Sequence, residues 1–419
     1  MIPGMSTAAS HRFPIEAADL CVKCGMCLPH CPTYGATLDE AESPRGRIML
    51  MQGLVTGRLQ PGAALDGHLD RCLGCRACEA VCPADVPYGR LIDSVRTILA
   101  ERRPARTRLT RLMAFALVNR PIRVWVALAL WTYRKLGVQS LVRAGHLLGR
   151  GKLARLESLL PDIHLPRQPV TSGRSGSGGE VSLFTNCTSP LSEPQALQSA
   201  VQLLEALGCT VTVPDRQTCC GAMHQHAGLA AAAGACARRN VECFKAAPAV
   251  VGIASGCTAQ LVEYDQLLEG AAAEAFAGKT SDIHGFLSAH ADTARLRFRP
   301  LKARVLLQTP CTLRNVIKGD AAVRALLARI PELEVIPMDS QCCGAAGSYF
   351  VSQPEMADRL LEPKLALAEV QRPDYVLSSN VGCSMHLAAG LRRAGIKVPV
   401  WHPVRLLAQQ LDAGASPPA

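Results

Sequence analysis

The chemistry of this sequence is carried by cysteine. Two runs share one spacing: Cys21-x2-Cys24-x2-Cys27-x3-Cys31 before Pro32, and Cys72-x2-Cys75-x2-Cys78-x3-Cys82 before Pro83. Three thiolates at i, i+3 and i+6 wrap three corners of a 4Fe–4S cubane, and the fourth cysteine of such a run ligates the other cluster in two-cluster ferredoxins. Cys21, Cys24, Cys27 and Cys82 are therefore expected to hold one 4Fe–4S centre, and Cys72, Cys75, Cys78 and Cys31 the second. Each proline ends the turn and directs the chain away. Structural zinc takes two separated pairs of ligands and suits a triplet plus one less well.

Eight more cysteines form two matching sets. Cys187, the pair Cys219–Cys220 before Gly221, and Cys257 make the first; Cys311, the pair Cys342–Cys343 before Gly344, and Cys383 make the second. The sets are offset by 124, 123 and 126 residues, which implies two tandem modules of one design. A glycine after paired cysteines permits a backbone that other residues would strain. Four thiolates at one edge could hold a metal or a further cluster; buried, reduced cysteines at a strand edge are the alternative. Cys209, Cys236 and Cys243 have no counterparts and are read as core. His224 and His226 follow the first Cys-Cys-Gly turn, and His284 and His402 each stand between a short apolar stretch and a helix, as equivalents. Ligation is one role for these histidines; capping or surface positions are the expected one.

Nineteen cysteines in 419 residues, an odd number, do not suit complete pairing. Met1 to Leu20 has no apolar core of a signal peptide and carries His11, Arg12, Glu16 and Asp19 instead. The expected compartment is reducing, where clustered thiols are metal ligands. With 48% hydrophobic residues the chain can fill two to three domain cores. At 4% aromatic it lacks the stacking surfaces that bind single-stranded nucleic acid.

These sites need elements to position them. Residues 15–100 are expected to form a helical two-cluster ferredoxin-type domain, 101–160 a basic apolar helical segment, and 161–180 a linker ending in the flexible composition TSGRSGSGGE. The Cys-Cys-Gly modules are expected at 181–295 and 302–411, before a disordered Gly, Ser, Pro and Ala tail. Within them, VSLFTNC, TVTVP and AVVGIASGC read as strands reaching the cysteines, with QALQSAVQLLEALG and an Ala-rich stretch as helices between. ARVLLQTPC, LEVIP and DYVLSSNVGC repeat the strands, separated by AVRALLARI and MADRLLEPKLALAEV. Val-, Ile- and Leu-rich strands alternating with helices imply a mainly parallel, covered sheet with its site at the carboxyl ends of the strands. The fold class is therefore multi-domain, α+β and α/β: a helical ferredoxin-like domain followed by two tandem α/β cysteine-rich modules.

The formal net charge of +11 is concentrated. Arg102 to Leu156 contains eleven Arg and two Lys and no acidic residue, so the rest of the chain is slightly negative. Two oxidised cubanes would bring the holo-protein to about +7, and a basic environment favours their reduced forms. The longest uncharged run, Val124 to Tyr133, is too short to span a bilayer. Arg-rich helices carrying Trp125 and Trp131 suit a membrane interface. A partner subunit is the second reading, and nucleic acid a third that no accompanying motif supports. There is no G-x-G-x-x-G after a strand, no Walker loop and no nucleophile elbow, so no flavin or nicotinamide is expected in this chain. Clusters without a two-electron cofactor imply a relay between a separate dehydrogenase and another acceptor.

Taken together, the motifs resemble those of the iron–sulfur subunits of bacterial glycolate oxidases. The resemblance rests on ESPRGRI, HLDRCLGCRACEAVCP, SGCTAQLVEY, CTLRNV, QCCGAAGSYF and NVGCSMHLA and covers nearly the whole chain. It implies flavin-containing partner subunits that oxidise glycolate, electrons accepted by two 4Fe–4S clusters, and delivery toward quinone at the cytoplasmic face of the plasma membrane. Glycolate is the first expected substrate of those partners and lactate the second. The same parts occur in the C subunit of anaerobic glycerol-3-phosphate dehydrogenase and, rearranged, in heterodisulfide reductases, which gives two alternatives: a glycerol-3-phosphate relay, or thiol–disulfide chemistry at the Cys-Cys-Gly sets. In the latter enzymes the module ends in Cys-x-x-Cys. Here Ala254 and Asn380 stand three residues before Cys257 and Cys383, leaving four candidate ligands per module.

Overall fold

The computed structural model describes residues 13–102, 108–144, 148–149, 151–165, 169–173 and 176–412. The expectations for the first twelve residues, for residues 174–175 of the Gly-Ser stretch and for the tail after 412 lie outside the described residues.

The first unit is helical. Helix α1 (Pro44–Val55) opens on Ser43, whose Oγ accepts from the Gly46 N–H at 2.9 Å, with Pro44 where a missing N–H costs nothing. Gly46 is required there, because a Cβ would lie 1.9 Å from the Glu40 carbonyl oxygen. Helix α2 (Tyr88–Arg102) buries Leu91, Ile92, Val95, Ile98 and Leu99, one face at helical spacing, in a core shared with Ile48, Met51 and Leu54 of α1.

The basic segment is helical as well: α3 (Arg108–Val118), α4 (Arg120–Lys135), then Val138–Ala144 and Lys152–Ser158. Among the described residues no helix is long and apolar enough to cross a membrane. The segment is anchored at its end, where Arg155 donates to the Phe350 carbonyl and pairs with Asp358, each at 2.7 Å. The Gly-Ser stretch is also tied down. Gly176 and Gly178 lie so close to the backbone of residues 207–208 that a Cβ on Gly176 would meet the Gly208 oxygen at 1.9 Å. Close approach, rather than freedom, is what these glycines provide.

Each module is a four-stranded parallel sheet. The first contains β1 (Glu180–Phe184), α5 (Pro194–Ala206), β2 (Thr210–Thr212), α6 (Ala222–His226), α7 (Ala230–Cys243), β3 (Val250–Gly252), α8 (Ser255–Leu261), β4 (Thr280–Asp282) and α9 (Ile283–Ala289). The second contains β5 (Ala303–Leu307), α10 (Asp320–Leu327), β6 (Leu333–Pro337), α11 (Pro354–Gln371), β7 (Tyr375–Leu377), α12 (Val381–Arg393), β8 (Val400–Trp401) and α13 (Pro403–Gln410). Strand orders are β2-β1-β3-β4 and β6-β5-β7-β8. The strands stop short of the cysteines that the sequence placed at their ends. After β1, Asn186 takes positive φ and its side chain accepts from the N–H groups of Thr188 and Ser189, which turns the chain before and after Cys187.

The modules share one core. Helix α5 packs on α13 and α9 on α10, so each module contributes the same pair of helices to the other. Val181, Leu204, Leu327 and Leu407 belong to that common cluster. His284 and His402 are buried at the junction, their rings stacked at 5.5 Å. They are not equivalents: His402 caps α13, and the matching cap of α9 is Asp282. The surface alternative fails for both, because the module contact covers them.

Burial, and then the neighbouring His284, holds His402 down at about 3, with Nδ1 accepting from the Val404 N–H and Nε2 donating to the Ile253 carbonyl. An unfolded histidine titrates near 6.5, so below that pH the unfolded chain binds a proton that the native state refuses. The stabilisation is complete above about pH 6.5 and declines toward pH 3 by about 1.4 kcal/mol per unit. The urea midpoint is expected to fall from pH 7 to pH 5, with a shallower fall in His402→Asn, which can keep the cap. Equal pH slopes in the two proteins would remove His402 as the cause.

Candidate metal centres

The two ferredoxin-type loops share a backbone pattern. Lys23 and Gly25 have positive φ in the first, and Gly74 and Arg76 in the second. Alternating hand along a short loop turns successive N–H groups into a concavity suited to an anionic cluster. Cys21, Cys24 and Cys27 line one cavity together with Cys82, and Cys72, Cys75 and Cys78 line another together with Cys31. In the second, the Gly74 N–H lies 3.4 Å and the Tyr88 hydroxyl 3.6 Å from the Cys72 sulfur.

The donor chemistry fits iron–sulfur clusters. Burial pushes the Cys75 and Cys78 thiols well up and Cys27 up, so these groups become thiolates only with a compensating positive centre among them. Among the described residues, no three cysteine sulfurs come within 4.8 Å of one another. That is wider than a single tetrahedral zinc ion with Zn–S bonds of about 2.3 Å needs.

Arginines stand at both cavities: Arg45 at the first, Arg47 and Arg76 at the second. Arg45 donates to the Lys23 carbonyl at 2.9 Å and pairs with Glu40 at 2.6 Å. Arg47 is buried; it pairs with buried Glu42 at 2.5 Å and donates to Thr33 Oγ1 and the His68 carbonyl. Arg76 pairs with Glu79 and with Glu263 of the first module. Asp39, Glu42 and His68 also bring ligand-type atoms together, but Glu42 is already engaged by Arg47 and Arg71, and that positive surround disfavours a cation.

In each module the four cysteines converge at the carboxyl edge of the sheet, where the strand order reverses beside β1 or β5. Cys187 follows β1, Cys219 and Cys220 follow β2, and Cys257 sits in the first turn of α8. Cys187 lies beside Cys219, and Cys220 beside Cys257. In the second module the Cys311 and Cys342 sulfurs are 3.9 Å apart, and those of Cys343 and Cys383 2.9 Å. Gly221 and Gly344 have φ of +89° and +85°, and a Cβ on Gly344 would meet the Ala357 oxygen at 2.6 Å.

The sequence reading missed the residues that hold the first pair. Asn240 of α7 donates to the Cys219 carbonyl at 3.1 Å and to the Tyr264 hydroxyl at 3.0 Å, and Tyr264 donates to the Cys220 carbonyl at 2.8 Å. The available signal was a buried-face asparagine in an otherwise Ala-rich helix. Cys209 and Cys236 are buried and Cys243 half-buried; Cys236 packs directly on the first set. His224 is neither a cap nor a surface residue: it is buried, and its Nδ1 has no hydrogen-bond partner. His226 is exposed and 3.2 Å from Asp93.

The two sets face different neighbours. Cys311 and the other cysteines of the second set share an apolar cluster with Leu73 and Cys75 of the second ferredoxin-type loop. There a single π-helical turn, Leu313–Ile317, presents Asn315, which donates to the Cys75 carbonyl at 2.7 Å. The first set faces the basic segment: Val118 packs on it, and the Arg123 charge acts on Cys187.

Residues 17–86 match the family described as 4Fe-4S dicluster domain, and residues 181–262 and 305–388 each match the family described as cysteine-rich domain. A probable glycolate oxidase iron-sulfur subunit of Bacillus subtilis (strain 168) is 33% identical over 92% of this chain and 92% of its own. The glycolate oxidase iron-sulfur subunit of Escherichia coli (strain K12) is 30% identical over 94% of each. Lactate utilization protein A of Geobacillus sp. (strain WCH70) is 28% identical over 54% of this chain and 98% of its own. With relatives at 30% and 33% identity over more than nine-tenths of each chain, and with both domain types present here, the chain belongs to the family of glycolate oxidase iron-sulfur subunits, iron–sulfur proteins with an electron-transfer role.

Proposed function

We propose that this chain relays electrons within a glycolate, or 2-hydroxy-acid, oxidase complex, from flavin-containing partner subunits that oxidise the substrate toward quinone. The observation that carries the reading is the exchange of fourth cysteines. Cys82 stands with Cys21, Cys24 and Cys27, and Cys31 with Cys72, Cys75 and Cys78, which suits two adjacent 4Fe–4S centres. When bound, such centres store and pass single electrons. The chain's own residues supply the rest: eight thiolates as ligands, inward-facing amides, and the guanidinium groups of Arg45, Arg47 and Arg76, which favour an added electron. The Cys-Cys-Gly sets are candidate sites for further clusters or metal. Substrate oxidation belongs to the partner chains, with glycolate first and lactate second.

Contact with the inner face of the plasma membrane is assigned to residues 102–156. Trp125 is 71% exposed and Leu112 65%, alongside exposed Leu136 and Leu141, on helices rich in arginine.

Iron, acid-labile sulfide and zinc per chain, measured on protein purified without oxygen, test the reading. About eight irons and eight sulfides without zinc are expected from two cubanes, and more iron would add the Cys-Cys-Gly sets. Fewer than about four irons, or zinc in their place, would end the relay reading.

A further inference from the structure

A cavity of about 180 Å³ lies where the ferredoxin-type unit and both modules meet. Arg96 of α2 forms one wall, Met223 and His226 of α6 a second, and Ala346 to Ser348, the loop after the second Cys-Cys-Gly turn, a third. The walls are fixed from two sides. Gly228 presses on the Arg96 backbone so closely that a Cβ would clash with its carbonyl oxygen, and the Tyr349 hydroxyl donates to the Arg71 carbonyl at 3.1 Å.

Three consecutive backbone donors stand unused at this cavity. Ala346 and Gly347 have φ of +35° and +66°, and Ser348 returns to −93°. Such a change of hand turns successive N–H groups into an anion-binding concavity. Among the described residues the N–H groups of Ala346, Gly347 and Ser348 have no acceptor, and Gly347 is exposed, so a ligand can reach this backbone. The cavity also holds a cation without a counter-ion. Arg96 donates from Nη2 to the Leu69 and Cys72 carbonyls at 3.1 and 2.6 Å, and among the described residues no acidic side chain pairs with it. Asp70 lines the cavity as well and has a partner of its own. His226 is 48% exposed and meets Asp93 through Nδ1 at 3.2 Å, which leaves Nε2 for the rim. An oxyanion satisfies the amides and the guanidinium together, with charge-assisted bonds to both. Leu73 and Met223 add an apolar surface that a bare phosphate would leave uncovered and a short carbon chain would cover.

We propose that this cavity binds a small organic carboxylate, its oxygens shared between the Ala346–Ser348 amides and Arg96, and its carbon chain against Leu73 and Met223. Bound there, the ligand joins α2 to loops of both modules and holds the three units in one arrangement. The site requires neither an iron–sulfur centre nor the relay reading.

The test is calorimetric titration of the holo-protein with propionate, with propionamide as its uncharged match and inorganic phosphate as the bare oxyanion. Propionate is expected to bind and propionamide to fail. Arg96→Gln removes the charge, and Ser352→Phe fills the cavity from an exposed position. Each should weaken propionate at least tenfold. Ser352→Phe keeps the test informative should Arg96→Gln, which also loses bonds to two carbonyls, misfold. An unchanged circular dichroism spectrum and ligand-free urea midpoint identify a folded variant. Saturating propionate should raise the urea midpoint of the unaltered protein, and should not raise that of Ser352→Phe. No propionate binding, equal binding of propionamide, or undiminished affinity in folded Ser352→Phe overturns the site. Phosphate that binds more tightly than propionate and displaces it would make this a phosphate site and overturn the carboxylate assignment. Iron content enters none of these outcomes, so the relay reading stands or falls separately.

Discussion

Replacing Cys82 with serine is expected to destroy the centre built on Cys21, Cys24 and Cys27, although Cys82 belongs by sequence to the other run. Cys31→Ser is expected to do the converse. The reason is spatial: Cys82 lines the cavity of the first loop, and Cys31 that of the second. Serine at a ligand position removes a soft thiolate from a site that iron–sulfur clusters select by that softness. Each variant should lose about half of an eight-iron complement, and the lost half should differ. In reduced protein, the electron paramagnetic resonance signal missing from Cys82→Ser should match the one missing from Cys24→Ser. The signal missing from Cys31→Ser should match that missing from Cys75→Ser. If Cys82→Ser and Cys75→Ser lose the same signal, each run holds its own cluster and the crossed assignment is wrong. The test matters because Cys75 shares its apolar surroundings with Cys311 of the second module, whereas Cys24 is exposed. Crossed ligation ties the exposed centre to the buried one through two short segments, which keeps a relay's donor and acceptor at fixed separation.

Local signals were legible in the sequence; those formed by distant segments were not. The spacing of Cys21 to Cys31 and of Cys72 to Cys82 is a local property, and the paired modules show because the same local Cys-Cys-Gly pattern occurs twice. Parallel strands at β1, β3, β5 and β7 were readable from continuous apolar runs. The fourth strand of each module was not, because Thr280–Asp282 and Val400–Trp401 are too short to show any period. Asn240 and Tyr264 act on the Cys219–Cys220 turn from two different helices twenty or more residues away. Gly176 and Gly178 looked like linker residues because composition cannot distinguish a free glycine from one pressed against another backbone. His402 looked like half of a pair with His284, although its counterpart as a cap is Asp282; only the folded junction reveals that the two rings meet.

Glu42→Gln is expected to be among the most destabilising single changes in the ferredoxin-type unit. Arg47 and Glu42 are 1% and 2% exposed in their side chains and 2.5 Å apart. Removing one member of such a pair strands the other charge without solvent, at a cost of about 3–5 kcal/mol. Glu42 also accepts from His68 at 2.7 Å and pairs with Arg71, so neutralising it leaves two guanidinium groups and the imidazole without their shared anion. Arg47→Met is expected to cost less, since Arg71 and His68 still face the carboxylate. The double variant should cost less than the sum of the two, the coupling that contact produces. Urea-induced bleaching of the visible cluster absorption reads these differences. The same arginine has an electrical role. Burial works against its charge, but Cys72, Tyr88, Cys31 and Glu42 around it more than offset that and hold it protonated beside the second cavity. Arg47→Met should therefore lower the reduction potential of the centre on Cys72, Cys75 and Cys78 and leave that on Cys21, Cys24 and Cys27 in place. Equal movement of both potentials would mean that Arg47 acts through the stability of the whole unit. A shift confined to the second centre would show that the fixed charge that closes this core also raises the potential of the centre beside it.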